Sequence, residues 1–313
     1  MLAHVARRLF GLAVVLFLVG AMVFFLTRLA PGDPAALMLG DQATAEDVAG
    51  LRVTFGLDKP VIVQFGLWLK EVSQGNLGRS IFLQRPVTQA LAERAEPTFF
   101  LALFALAFAS SIGIPAGIVS AVWRGRLVDQ IVCGLAMLAA NIPSFWLGLI
   151  VIQMFAVRLG WLPVAGYGAP DASLLERLRH LILPAAVLGV VNSALITRFT
   201  RASMLDVLDM DFVRTARAKG ISEARVVLRH ALGNALVPIV TVIGLTLALL
   251  IGGAIVTETV FGLPGVGNLV VSAVLRRDYP VIQGALLVVA AIYVLINLMI
   301  DVIYTLVDPR VRT

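Results

Sequence analysis

Apolar residues along this chain come in long runs, not in strict alternation or in narrow helical stripes. Six runs reach or approach the roughly 20 residues a helix needs to cross a bilayer. They are Leu9–Thr27, Thr98–Val122, Ile131–Val157, Leu181–Thr197, Ala231–Val256 and Tyr279–Ile300. Each is apolar around most of its circumference, unlike the one-sided pattern of a helix on a water-soluble domain. The fourth run is the shortest, and it becomes long enough if Arg198 extends its charged head to the interface. Pro115, Pro143 and Pro184 fall inside runs, which membrane helices tolerate because neighbouring groups satisfy the backbone that proline frees. The pattern predicts an all-α polytopic membrane protein with six transmembrane helices.

Two polar stretches interrupt this pattern. The first, Ala30 to Pro97, carries an apolar segment after Pro60 (Val-Ile-Val-Gln-Phe-Gly-Leu-Trp-Leu) that suits a helix at the membrane interface. Pro86 followed by Val-Thr-Gln-Ala-Leu-Ala-Glu-Arg predicts a further short helix with proline in its first turn. The second stretch, Arg198 to about Asn234, is basic. Asp206 through Lys219 reads as a short helix, with Asp209 or Asp211 as its cap and Arg214, Arg217 and Lys219 toward its negative end. Gly220 suits the left-handed position just past a helix, and Ile221 the apolar contact that follows it. Ser222 is placed to cap a second helix, with Glu223 in its first turn.

Composition strengthens the membrane reading. Of 313 residues, 59% are hydrophobic and 14% charged, against about a quarter charged in soluble domains. The run after Arg7 and Arg8 exceeds a typical signal-peptide core, and no small-residue cleavage site follows, so it reads as a retained first span. The net charge of +6 gathers in short loops that the positive-inside rule puts on the cytosolic face, together with both termini. That distribution favours a membrane protein over a nucleic-acid binder. The single cysteine, Cys133, has no disulfide partner within the chain.

Chemistry-bearing motifs are sparse. The three lysines, Lys59, Lys70 and Lys219, do not follow glycine, so the chain lacks a phosphate-cradling G-x-x-x-x-G-K-[ST] loop. His4, His180 and His230 stand apart from one another, and no G-x-S-x-G elbow occurs. Glu258 ends the fifth span before Phe-Gly-Leu-Pro264-Gly265-Val-Gly267, read either as a structural turn or as a gate at the outer mouth. Asp301, near the end of the last span, is either an interfacial charge or a buried partner for an arginine such as Arg198. Asn141, Ser144, Asn192, Ser193 and Thr197 either line a pathway or bond neighbouring helices.

What does the basic stretch do? Ala216 and Gly220 are small and four apart, Phe212 and Ile221 are apolar anchors, and arginines form a rim. A docking knob and a solvated topology marker both fit. Phe212-Val-Arg-Thr-Ala-Arg-Ala-Lys-Gly220, followed by Arg229-His-Ala-Leu-Gly-Asn-Ala-Leu-Val-Pro238, resembles the EAA-type loop of ABC importer permeases, in particular the dipeptide/oligopeptide/nickel branch. Leu29-Ala-Pro-Gly-Asp-Pro34, Gly75-Asn-Leu-Gly-Arg-Ser80, Pro143-Ser-Phe-Trp-Leu-Gly148 and Arg277-Asp-Tyr-Pro-Val-Ile-Gln283 extend the resemblance along most of the chain.

The resemblance implies a type I ABC importer fold, and a loop helix seated in a cleft of an ATPase subunit. That role falls on Phe212, Arg214, Thr215, Ala216, Arg217, Lys219, Gly220 and Ile221. Arg214 stands where the general pattern has its glutamate, and Thr215 where it has its first alanine. Implied partners are a second homologous permease, two cytosolic ATPases that carry ATP and Mg, an external substrate-binding protein and membrane lipid. No cofactor is expected in this chain. Residues 1–97 read as a first span with a long external loop, and 98–313 as a five-helix core with the coupling loop 198–234. The competing reading is a membrane-embedded enzyme or assembly factor.

Overall fold

The computed structural model describes residues 2–29, 44–54, 57–169 and 171–307. These residues are almost wholly helical, and the one β-type contact among them is an isolated bridge between Arg79 and Pro86. In chain order the helices are α1 (Leu2–Leu29), α2 (Ala45–Thr54), α3 (Val61–Ser73), α4 (Val87–Val122), α5 (Leu127–Asn141), α6 (Ser144–Val151), α7 (Leu174–Leu208), α8 (Asp211–Ala218), α9 (Leu232–Val260), α10 (Val266–Leu275) and α11 (Tyr279–Val307). A π-helical stretch, Ile152–Arg158, continues α6, and a turn at Glu223–Arg225 with a π-stretch at Val226–Ala231 leads into α9. Among the described residues, five helices are long and apolar enough to cross a membrane, and α5 with α6 and its π-helical continuation, counted as one bent span, makes six.

Four predicted elements take a different form. The short helix after Pro86 and the second span are one helix of 36 residues, about 54 Å long at 1.5 Å per residue. It starts with Ala90 N–H donating to the Pro86 carbonyl at 3.1 Å and runs through Pro97 and Pro115. The third span is a pair of helices bent by 98°. Pro143 causes the break: it disfavours helical backbone in the residue before it, and Ile142 is extended at φ −75°, ψ 123°. The fourth helix is much longer than its apolar run. It begins at Ser173, whose hydroxyl accepts from Glu176 N–H, the first half of a capping box. It continues to Leu208 because Thr200, Ser203, Met204 and Val207 keep a helical spacing on one buried face. The predicted loop therefore loses Arg198–Leu208 to helix.

The chain divides into two compact units. One comprises Met1–Glu96 with Gly265–Val294, the other Pro97–Pro264 with Leu295–Thr313. In the first, α3 packs on α1 through Phe24, Phe65 and Trp68, with ring centroids 5.3 to 6.0 Å apart. The start of α4 (Val87, Ala90, Leu91) shares a core with Leu269 and Ala273 of α10 and Val281 and Ala285 of α11. Asp278 is buried there and fastens the preceding loop by accepting from Ser80 Oγ at 2.5 Å, Phe82 N–H at 3.1 Å and Ile81 N–H at 3.2 Å.

In the second unit, α4 and α7 cross in close contact. A Cβ at Gly117 would lie 2.6 Å from Thr200 Cβ, and one at Gly113 would lie 2.7 Å from Ile196 Cβ. Small residues spaced by four let membrane helices approach this closely, which gains dispersion contact where lipid leaves little hydrophobic drive. Outside these crossings large apolar side chains stay exposed, for example Leu135, Met137 and Leu138 on α5, as lipid-facing surfaces should.

Candidate functional site

The basic stretch forms a compact knob at the end of α7. Asp209 closes α7, and Met210 turns the chain with extended backbone, ψ 149°. Helix α8 then presents two faces. Val213 and Ala216 are buried and join Met204, Val207, Val226, Val227 and Ala231 in one cluster. Phe212, Arg214, Thr215, Ala218 and Lys219 are exposed on the other side. Burying a valine of this kind stabilises by about 1.5 kcal/mol or more, so the knob is anchored through Val213 while its outer face stays unpartnered by the core.

Gly220 ends α8 with φ +76°. The Ile221 N–H donates to the Ala216 carbonyl at 3.3 Å and the Gly220 N–H to that of Arg217 at 2.9 Å, the paired bonds of a Schellman cap. Ile221 packs against the inner cluster. Arg217 closes the turn from outside, its Nη2 and Nε donating to Glu223 at 2.7 and 3.0 Å. That carboxylate raises the Arg217 pKa above its ordinary value, through the hydrogen bond first and charge second.

Several sequence expectations change here. The helix starts at Asp211, not Asp206, and Met210 occupies the cap position without a side-chain bond. Asp209 instead reaches Arg124 at 3.4 Å, and Asp211 lies in the first turn, 3.5 Å from Arg214. Ser222 stands at the next cap position, but its hydroxyl makes no capping bond. Ala216 and Ile221 face inward, so the small residue on the outer face is Ala218 and the apolar one is Phe212.

Beside the knob lies a partly buried ion pair. Arg201 of α7 donates through Nε and Nη2 to the two oxygens of Asp129 on α5, both at 2.8 Å. Asp129 is 5% exposed. Ser120 of α4 donates to the same carboxylate, as does the Gly125 N–H at 2.9 Å. Cys133 Sγ lies 3.5 Å away.

At the other end of α9, Glu258 is fully buried and accepts from Thr98 Oγ1 at 2.6 Å. The chain leaves α9 by a second Schellman cap: Gly262 has φ +59°, Leu263 N–H donates to the Glu258 carbonyl at 2.8 Å and Gly262 N–H to that of Thr259 at 3.3 Å. Gly265 then caps α10 with extended backbone, after Pro264, and Gly267 is buried within α10. This geometry is a tightly bonded turn. Asn141, Asn192, Ser193 and Thr197 bond carbonyls of their own helices. The Asp301 side chain lies outside the described residues, and Arg198 is exposed.

The sequence model of the family described as "Binding-protein-dependent transport system inner membrane component" matches residues 113–313. The N-terminal model of the same transport system matches residues 1–101. The chain belongs to this permease family.

Full-length relatives agree. The permease is 46% identical over 312 residues to a peptide transport system permease protein of Brucella abortus (strain 2308), covering 100% of this chain and 99% of that one. It is 43% identical over 312 residues to the glutathione transport system permease protein of Escherichia coli (strain K12), with the same coverage. Among solved structures it resembles an inward-facing MetNI methionine ABC transporter, with a TM-score of 0.59 at 21% identity, covering 70% of this chain and 97% of that one. The fold is thus that of type I ABC importer permeases, and the chain is the permease subunit of such an importer. The Asp129–Arg201 pair of this permease escaped sequence reasoning. Asp129 sits two residues before the predicted third span, where a lone acid reads as an interfacial charge, and nothing in sequence pairs it with a residue 72 positions away.

Proposed function

We propose that the knob built on α8 is where a cytosolic ATPase subunit docks, and that ATP-driven closure of two such subunits moves the permease between outward- and inward-facing states. The observation that carries this reading is the division of labour in α8. Its inner face is fixed to the bundle by Val213 and Ala216, while Phe212, Arg214, Thr215, Ala218 and Lys219 project from a rigid, doubly bonded turn. A lever needs both a free contact face and a stiff attachment. The positive-inside distribution of arginines supports a cytosolic location for this end of the bundle and for both termini.

Membership of the binding-protein-dependent transport family supports the remaining parts of this reading. ATP and Mg reside on the ATPase subunits, and this chain hydrolyses no ATP of its own. A second, different permease chain completes the pathway in the bacterial cytoplasmic membrane, surrounded by lipid. An external binding protein delivers cargo. The names of the relatives support a peptide cargo, with glutathione, itself a tripeptide, within that class. Arg214 in place of the acid of the general pattern gives the contact a cationic rim, complementary to an acidic ATPase cleft.

Gly220 offers the test. Its missing Cβ would meet no atom within 4 Å, so within this chain only the positive φ demands glycine. Asparagine tolerates that conformation better than most residues. Gly220→Asp is expected to insert normally but to lower uptake of a labelled tripeptide at least about tenfold, as a loss of about 1.4 kcal/mol in docking would, with ATP hydrolysis no longer tied to uptake. Gly220→Asn is expected to reduce ATPase co-purification as well, because any side chain intrudes on the contact. Wild-type uptake by both variants would refute docking here.

A further inference from the structure

Asp129 and Arg201 do more than satisfy each other. The Asp129 carboxylate gathers donors from α4 (Ser120), from the turn after it (Gly125) and from α7 (Arg201), while itself belonging to α5. Arg124 in the same turn reaches Asp209, the residue that ends α7. Helix α7 runs without interruption from Arg201 to Leu208, and only Asp209 and Met210 separate it from α8. A displacement of the knob therefore enters α7 directly, and it meets first the exposed Arg124–Asp209 contact and then the bidentate bonds from Arg201 to Asp129.

We infer that the Asp129–Arg201 pair is a positioning clamp that makes the knob ends of α4, α5 and α7 move as one body when α8 is displaced. The inference rests on the reading of α8 as the ATPase-docking helix. Geometry supports a clamp over a loose tether. A bidentate guanidinium–carboxylate pair fixes distance and relative orientation together. Burial ties Asp129 to its partner: its side chain is 7% exposed against 28% for Arg201, so separation leaves the carboxylate, more than the guanidinium, short of water. Apolar packing alone would allow α7 to slide past α5, as packed helices do in shear motions of about 1–2 Å. The pair removes that freedom at the end where force arrives.

The test uses the complete transporter in proteoliposomes, with spin labels on cysteines at Gln130 of α5 and Asp206 of α7, both exposed. The single native cysteine, Cys133, is first changed to serine. Label separation is measured without nucleotide and after trapping with ATP and vanadate. With the clamp intact, the two distributions are expected to coincide. In Asp129→Asn they coincide with the parent without nucleotide and shift by about 1–2 Å on trapping. Asp129→Glu, which keeps a carboxylate able to accept from the same donors, is expected to restore coincidence.

A purely structural role predicts something else: broadening that is equal in both states of Asp129→Asn. That result, or no change at all, overturns the clamp, as does a shift in the parent itself. Co-purification of the ATPase with the parent chain is scored separately. Its absence refutes the docking reading, and this inference with it, whereas its presence together with an unshifted Asp129→Asn refutes the clamp alone.

Discussion

Two residues carry most of the local logic of the knob. Gly220 supplies a φ of +76° that lets the chain reverse within a single Schellman cap. Asp129 supplies a carboxylate that holds three helices, and its energetics are asymmetric. Removing one partner of a fully buried ion pair costs about 3–5 kcal/mol, whereas replacing both with apolar residues is often near neutral; here the Arg201 side chain stays 28% exposed, so the loss of Asp129 costs less than that range. Asp129→Ala is therefore expected to lower the thermal midpoint of the detergent-solubilised permease clearly, and Asp129→Leu with Arg201→Met to recover most of the loss. Equal midpoints for Asp129→Ala and wild type would mean that the pair is solvated. Arg217 and Glu223 offer a contrast. Their side chains are 41% and 54% exposed, and exposed pairs contribute about 0–1 kcal/mol, so this pair shapes the turn more than it stabilises the protein.

At the scale of elements, the crossing of α4 over α7 rests on glycine. A Cβ on Gly117 would come within 2.7 Å of the Thr197 carbonyl oxygen, a backbone atom that cannot rotate away. Gly117→Ala is expected to destabilise by about 1–3 kcal/mol through overpacking, visible as a lower midpoint in scanning fluorimetry. Gly252→Ala, with nothing within 4 Å of its Cβ, is expected to be neutral or mildly stabilising, since alanine is the better helix former. Equal effects at both sites would argue against a close crossing. The same scale shows what was legible in sequence. Long apolar runs announced the crossing helices, and Gly220 announced the end of α8, because both signals are local. The extension of α7 to Leu208 was hidden behind arginines, although Thr200, Ser203, Met204 and Val207 keep its buried spacing. The merger of the Pro86 helix with the second span was hidden by Pro97. The inward orientation of Ala216 and Ile221, and the meeting of Asp129 with Arg201, depend on which helices pack together, which no single stretch of sequence encodes.

At the scale of the whole molecule, family membership and fold make this chain the permease subunit of an ABC importer. The route proposed for the energy of ATP runs from the exposed face of α8 through the short link at Asp209 and Met210 into α7 and its ion pair with Asp129. The central claim is that the ATPase touches the outer face of α8, and cysteine cross-linking in native membranes tests it most directly. In a Cys133→Ser background, Ala218→Cys on the outer face is expected to yield an adduct between the permease and the ATPase subunit. Val213→Cys, fully buried behind it, and Leu175→Cys, 79% exposed near the opposite end of α7, are expected to yield none. An adduct at Leu175→Cys with none at Ala218→Cys would contradict the account.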